Sequence, residues 1–152
     1  MKNNQGPSKS SREQRTTDLD RFYFQWHITE RCNLRCLHCY QEGYTSQSEF
    51  SLAQLKTVAD EIDLTLEKWD MRGRIALTGG EPFLSKELIP LMDYLEQKKY
   101  IRQIGILTNG TLIDEKIVNR LKSLQKLYSI QISLDGASKE TNDFVRGKGA
   151  YN

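Results

Sequence analysis

The chain has 152 residues, 38% of them hydrophobic and 28% charged, with a net charge of +2. That length suits one domain around one core, and near-balanced charge without a basic run argues against nucleic acid or an anionic membrane as the main partner. No apolar stretch approaches the roughly 20 residues of a spanning helix and the amino terminus lacks a signal peptide's charged and apolar regions, so a cytoplasmic location is expected.

Residues 1–20, MKNNQGPSKSSREQRTTDLD, have almost no apolar side chains and are expected to be a disordered tail. The folded domain is expected over 21–152. It opens with RFYFQWHIT, a strand rich in aromatic and β-branched residues that feeds a loop holding all three cysteines, Cys32, Cys36 and Cys39. Ser51 then caps a helix whose apolar positions, Leu52, Leu55, Ala59, Ile62, Leu66 and Trp69, recur in steps of three and four, predicting one buried face. Gly73 breaks that pattern. Arg74 to Thr78 reads as a short buried strand ending in Gly79-Gly80-Glu81-Pro82. A second helix is predicted from about Ser85 to Lys99 with Pro90 in its first regular turn, because a proline deeper inside would remove a hydrogen bond. Gln103 to Thr108 is the next strand, closed by Asn109-Gly110, where Asn109 reads as a turn residue accepting a left-handed conformation. Asp114 caps a third helix, with Ile117, Val118, Leu121 and Leu124 inward.

The last strand, Ser129 to Gly136, places Gln131, Ser133 and Asp135 on one face, toward a cavity, and Ile130, Ile132 and Leu134 on the other, toward helices. The residues after Gly136 do not alternate like a return strand, which disfavours a hairpin there. The next helix is expected to begin only near Gly149-Ala150-Tyr151-Asn152.

Strand and helix thus alternate with a spacing of roughly thirty residues, the size of a βαβ unit, which predicts an α/β fold with a parallel sheet. Ligands bind such sheets at the carboxyl ends of the strands. Those ends here carry the cysteine loop, Gly79-Gly80-Glu81-Pro82, Thr108-Asn109-Gly110 and Ser133-Leu134-Asp135-Gly136. The unusual chemistry therefore gathers on one rim.

Three cysteines within eight residues suit a metal or cluster in a reducing compartment better than a disulfide framework. A structural zinc site wants four ligands, and the two histidines fit poorly: His38 immediately precedes Cys39, while His27 lies in the preceding strand, as a cavity-lining or core histidine. An electron-transfer cluster would likewise want four cysteines. A C-x3-C-x2-C triad can instead hold three irons of a cubane and leave one open, and an open metal position marks a site that binds substrate.

Cys32-Asn33-Leu34-Arg35-Cys36-Leu37-His38-Cys39 resembles the C-x3-C-x-φ-C signature of the radical S-adenosylmethionine (AdoMet) enzymes, with His38 at the usually aromatic position. The resemblance implies a 4Fe-4S cluster on Cys32, Cys36 and Cys39, with AdoMet on the open iron. It further implies reductive cleavage of AdoMet to a 5′-deoxyadenosyl radical that abstracts hydrogen from substrate. Gly79-Gly80-Glu81-Pro82 looks like the family's GGEP element, implied to bind the methionine amino group of AdoMet mainly through backbone, with glycine letting a ligand approach the main chain, and the resemblance places Thr78, Gly79, Gly80 and Glu81 at the cofactor. Ser133 and Arg146 are implied to lie near the AdoMet carboxylate and ribose, where a hydroxyl and a charge-assisted donor are apt, and Asp135 contacts ribose or shapes its turn.

The resemblance covers residues 21–152 and implies a partial TIM barrel that stops after about four of the family's usual six or so strands. A sheet ending there would expose a strand edge, so the chain is expected to be the amino-terminal part of a longer enzyme. The motifs look most like the SPASM-type peptide and protein maturases, which implies a peptide or protein substrate and a flavodoxin or ferredoxin reductant. A cofactor-biosynthesis enzyme, a non-catalytic cluster- or AdoMet-binding remnant and a zinc-binding module are the alternatives.

Overall fold

The computed structural model describes residues 21–41, 43–44 and 49–151, so the expected disordered tail at 1–20 lies outside the described residues. Four strands, β1 (Arg21–Thr29), β2 (Arg72–Gly79), β3 (Ile101–Thr108) and β4 (Leu127–Ile132), pair in sequence order, every pair parallel. Parallel neighbours need crossovers, and α1 (Leu52–Lys68), α2 (Leu88–Glu96) and α3 (Glu115–Leu121) supply them. A short 3-10 turn, Pro82–Leu84, precedes α2, and α4 (Lys139–Arg146) follows β4. The result is the α/β fold with a parallel sheet that the alternation of elements predicts, in the partial-barrel form that the resemblance implies. Among the described residues no helix is long and apolar enough to cross a membrane.

Local chemistry sets the helix starts. At α1 the Ser51 side chain accepts from Gln54 N while Gln54 Oε1 accepts from Ser51 N, a reciprocal cap. At α3, Asp114 Oδ1 accepts from Ile117 N at 2.7 Å. Pro90 is the third residue of α2, where its missing N–H removes no intrahelical bond. Replacing Ser51 with alanine is expected to cost about 1 kcal/mol, read as a lower denaturant midpoint at unchanged slope.

One sheet face builds the core. Ile75, Leu77, Ile104 and Ile106 pack with Leu55 and Leu66 of α1 and Leu91 and Leu95 of α2, all fully buried. Each such side chain contributes about 1.5–3 kcal/mol relative to exposure. Carboxylates from the helices then fix the strand starts: Asp63 accepts from Tyr100 N and Ile101 N at 2.7 and 2.9 Å, and Glu96 accepts from Gln125 N and Lys126 N at 3.0 and 2.7 Å. The opposite face is mostly polar or small, with Leu107 an apolar exception. Across it Gln25, Ala76, Gly105 and Ser129 fall in one row, with His27 beside Thr78 and Leu107 beside Gln131.

Five expectations need correction, the first being Val118, which is exposed and not inward. Trp69 is not part of the buried stripe; it caps α1 at the carboxyl end, half exposed, with its ring 5.3 Å from that of Phe22. β4 stops at Ile132, and Ser133 to Gly136 continue as irregular chain whose Asp135 N donates to Asn142 Oδ1. Ile130, Ile132 and Leu134 are exposed rather than covered by helices, since α4 lies at the strand ends and not against that face. A helix also begins well before Gly149: α4 starts after Ser138, whose side chain accepts from Thr141 N while Thr141 Oγ1 accepts from Ser138 N.

Candidate functional site

The parallel arrangement puts the carboxyl ends of all four strands on one rim, and the loops leaving them enclose a cavity of about 340 Å³. Small-molecule sites start at about 300 Å³. Cys32, Cys36, Cys39 and His38 line it from the loop after β1, Thr78, Gly79 and Gly80 from the end of β2, and Ser133 and Arg146 from beyond β4. Nine of the eleven residues expected to form the site are therefore brought together: those nine line the cavity, while Glu81 and Asp135 stand behind it.

The cysteine loop is seated directly on the glycine turn. Gly80 N donates to Thr29 O at 2.9 Å and Glu81 N donates to Arg31 O at 2.7 Å. A Cβ on Gly79 would stand 2.1 Å from Thr29 O, and one on Gly80 2.2 Å from Arg31 O; Gly79 also has φ +137°. No side chain fits at either position. The close approach expected of these glycines is thus made by the chain's own backbone, which clamps the loop onto the end of β2.

At its other end the cysteine loop rests on α4. Leu37 N donates to Val145 O at 2.8 Å, and Cys36 Sγ lies 3.9 Å from Arg146 O. Cys39 N donates to Cys36 O, turning the chain so that both sulfurs reach the cavity. Burial pushes the Cys36 thiol above its ordinary range; the Arg146 guanidinium opposes this, and Cys32 and Cys39 reinforce it. Tyr44, which sequence reading did not single out, hydrogen-bonds Cys39, and that bond raises its phenol pKa.

The polar partners divide into two groups. Asp135 Oδ2 lies 2.6 Å from Arg146 Nε and 3.3 Å from His38 Nε2, so its carboxylate links α4 to the cysteine loop. The Glu81 side chain is fully buried: Oε1 accepts from Thr108 Oγ1 at 2.8 Å and from Phe83 N at 3.1 Å, and Oε2 accepts from Asn109 N at 2.8 Å. Three donors compensate the burial of that carboxylate. The Glu81 side chain ties the turn after β2 to the end of β3. Asn109 does shape a turn, with Oδ1 accepting from Thr111 N, but Gly110 rather than Asn109 takes the left-handed conformation, at φ +80°.

Among the described residues no three His, Cys, Asp or Glu side chains converge as ligands of a single ion must. His38 points Nε2 at Asp135, and His27 Nε2 lies 3.2 Å from the Tyr40 hydroxyl. The Cys32, Cys36 and Cys39 side chains line the same cavity.

Over 129 residues the chain is 38% identical to Fe-coproporphyrin III synthase of Methanosarcina barkeri, covering 83% of this chain and 30% of that protein. It is 33% identical over 129 residues to the mycofactocin maturase MftC of Mycolicibacterium smegmatis, with the same coverage of 83% and 30%. Its fold is similar to the crystal structure of Streptococcus suis SuiB bound to the precursor peptide SuiA, with TM-score 0.68 and 18% identity over 97% of this chain and 35% of that one. The chain spans about a third of the length of these proteins. Residues 26–152, which run from within β1 through each of the rim loops, match the Radical SAM superfamily, and the chain belongs to that superfamily.

Proposed function

We propose that this chain forms the cofactor-binding part of a radical AdoMet enzyme that matures a peptide or protein. Superfamily members are enzymes. The observation that carries the reading is the shared cavity: three cysteines line it together with the Gly79-Gly80 turn, Ser133 and Arg146 in one half-open cleft at the strand ends. Cys32, Cys36 and Cys39 would hold a 4Fe-4S cluster, and Thr78, Gly79, Gly80, Ser133 and Arg146 would line the seat of AdoMet beside it, with His38 against the same space. When bound, the pair supplies one-electron cleavage of AdoMet and hydrogen abstraction from substrate, with the electron delivered by a flavodoxin- or ferredoxin-type reductant.

The chain's own contribution is orientation and exclusion of water. The clamp of Thr29 and Arg31 on the glycine turn sets the height of the cysteines above β2. Asp135 holds the Arg146 guanidinium at the cavity, where a carboxylate-bearing ligand would meet a fixed donor. Gln25, whose side chain also reaches the cavity, shares the polar sheet face with His27, which offers a bed for substrate below the rim. Thiolate ligands suit a reducing compartment, in keeping with a cytoplasmic enzyme.

The mycofactocin maturase and the peptide-bound SuiB support a peptide substrate. The 38% identity to a synthase of Fe-coproporphyrin III favours a second reading, a cofactor-biosynthesis enzyme acting on a tetrapyrrole. Anaerobic reconstitution of the intact protein with iron and sulfide should give a cluster whose electron paramagnetic resonance signal changes when AdoMet is added, and dithionite should then release 5′-deoxyadenosine. A reconstituted protein blind to AdoMet defeats both readings. Faster deoxyadenosine release with an iron porphyrin than with candidate precursor peptides would select the second.

A further inference from the structure

Three side chains on two different rim loops close a ring of hydrogen bonds. Asn109 Nδ2 donates to Asn33 Oδ1 at 2.9 Å, Asn33 Nδ2 donates to Thr111 Oγ1 at 2.8 Å, and the Thr111 hydroxyl donates to Asn109 Oδ1 at 2.7 Å. Each member donates once and accepts once around the ring. Reversing the ring would need both amides flipped together, and Thr111 N, which donates to Asn109 Oδ1 at 2.9 Å, would then face an amide nitrogen, so that contact fixes the sense of the ring. The two bonds of Asn33 are solvent-exposed and compete with water, so the ring acts by setting geometry and not by burial.

The placement of the ring gives it a task. Asn33 follows Cys32 directly, and its partners lie 76 and 78 positions away on the loop after β3. That loop is rigid: Asn109 N and Thr108 Oγ1 are held by the buried Glu81 carboxylate, Gly110 N donates to Thr108 Oγ1, and Thr111 N donates to Asn109 Oδ1. Asn109 itself lines the cavity. The cysteine loop is fixed after Cys36 by the Leu37 contact with α4 and before Cys32 by the glycine turn. Between these two points Leu34 N reaches only Cys32 Sγ, at 3.4 Å, and the Arg35 guanidinium bonds backbone carbonyls of the same loop, Cys32 O and Leu34 O. Arg35 also stacks 3.7 Å over the Tyr44 ring and Cys36 Sγ lies 3.9 Å from Arg146 O, and the side-chain ring is the long-range anchor next to Cys32 among the described residues.

We propose that Asn33, Asn109 and Thr111 are positioning residues that preset the separation of Cys32 and Cys36 for a cluster, with the loop ordered before the metal arrives. The inference rests on the cluster reading above. A preset loop need not be ordered at the moment of binding, so the ring acts on retention of the group rather than on the fold.

The test is the rate at which a chelator strips iron from the anaerobically reconstituted intact protein, compared across Thr111→Val, Thr111→Ser, Asn33→Ala and the Asn33→Ala/Thr111→Val double variant. Thr111→Val keeps the shape and removes the hydroxyl; it should speed iron loss about tenfold, as should Asn33→Ala. Thr111→Ser should stay within about twofold of the parent, because the hydroxyl closes the ring again. The double variant should be no faster than the faster single one, since a ring opens only once. The melting midpoint of the metal-free protein should move by less than about 2 °C for Thr111→Val. Equal rates for the valine, serine and parent proteins, or additive single effects, overturn the proposal. A parent protein that takes up no cluster overturns the cluster reading and the proposal together.

Discussion

Replacing Cys36 with alanine is expected to lower AdoMet cleavage by more than about 100-fold, the upper end of what substitutions beyond the ligand shell cost at metal sites, while leaving the metal-free protein within about 0.5 kcal/mol of the parent in stability. The two effects separate because of where the residue sits. Cys36 is half-buried in a loop, and its sulfur meets Arg146 O only at the outer limit for a thiol contact, 3.9 Å, so little packing is lost with it. Burial holds its thiol above the ordinary range, so metal uptake must displace a proton there. Iron and sulfide content after reconstitution, 5′-deoxyadenosine yield and a denaturant titration of the metal-free chain together check this. Stoichiometric iron with sustained AdoMet cleavage in the alanine variant would show that Cys36 is no ligand. Cys32→Ala and Cys39→Ala should behave alike if the three cysteines hold one cluster as proposed, because each would then remove one of its three protein ligands.

The sheet order was legible because its punctuation is chemical. Ser51 and Asp114 announce helix starts, and Gly79-Gly80 and Asn109-Gly110 announce strand ends, so the strand–helix alternation could be laid out residue by residue. α4 escaped because Lys139 to Arg146 carries only Phe144 and Val145 as apolar residues and presents no buried stripe; Phe144 is 76% exposed. The reciprocal Ser138–Thr141 cap was the available signal, muted because threonine stands where glutamate or glutamine is usual. Trp69 fell on the helical period but past the helix end, where its backbone turns off and its ring meets Phe22 instead. The cavity wall followed from strand ends alone, whereas Asn33 could not be read as a site residue: its partners lie 76 and 78 positions away, and only the parallel pairing of β1, β2 and β3 brings those loops together.

Glu81→Ala is expected to destabilise the metal-free protein by about 3–5 kcal/mol, among the largest effects open to one substitution. Its carboxylate is the shared acceptor for Thr108 Oγ1, Asn109 N and Phe83 N in a fully buried position. Alanine leaves those donors facing a cavity, and a buried donor without an acceptor costs about 1–3 kcal/mol. Glu81→Gln should cost less, about 2 kcal/mol, since one oxygen can still accept from Thr108 and Phe83 while the amide sets a donor against Asn109 N. Denaturant midpoints at constant slope measure both. The comparison also decides between two roles for this residue. A glutamate that touched AdoMet would, on substitution, weaken cofactor binding and leave the cofactor-free fold as stable as before. A glutamate that staples the end of β2 to the end of β3 must show its loss without any cofactor present, and must loosen Asn109 and the cysteine loop that leans on it. An alanine variant within about 1 kcal/mol of the parent would therefore return Glu81 to the cavity side of the turn.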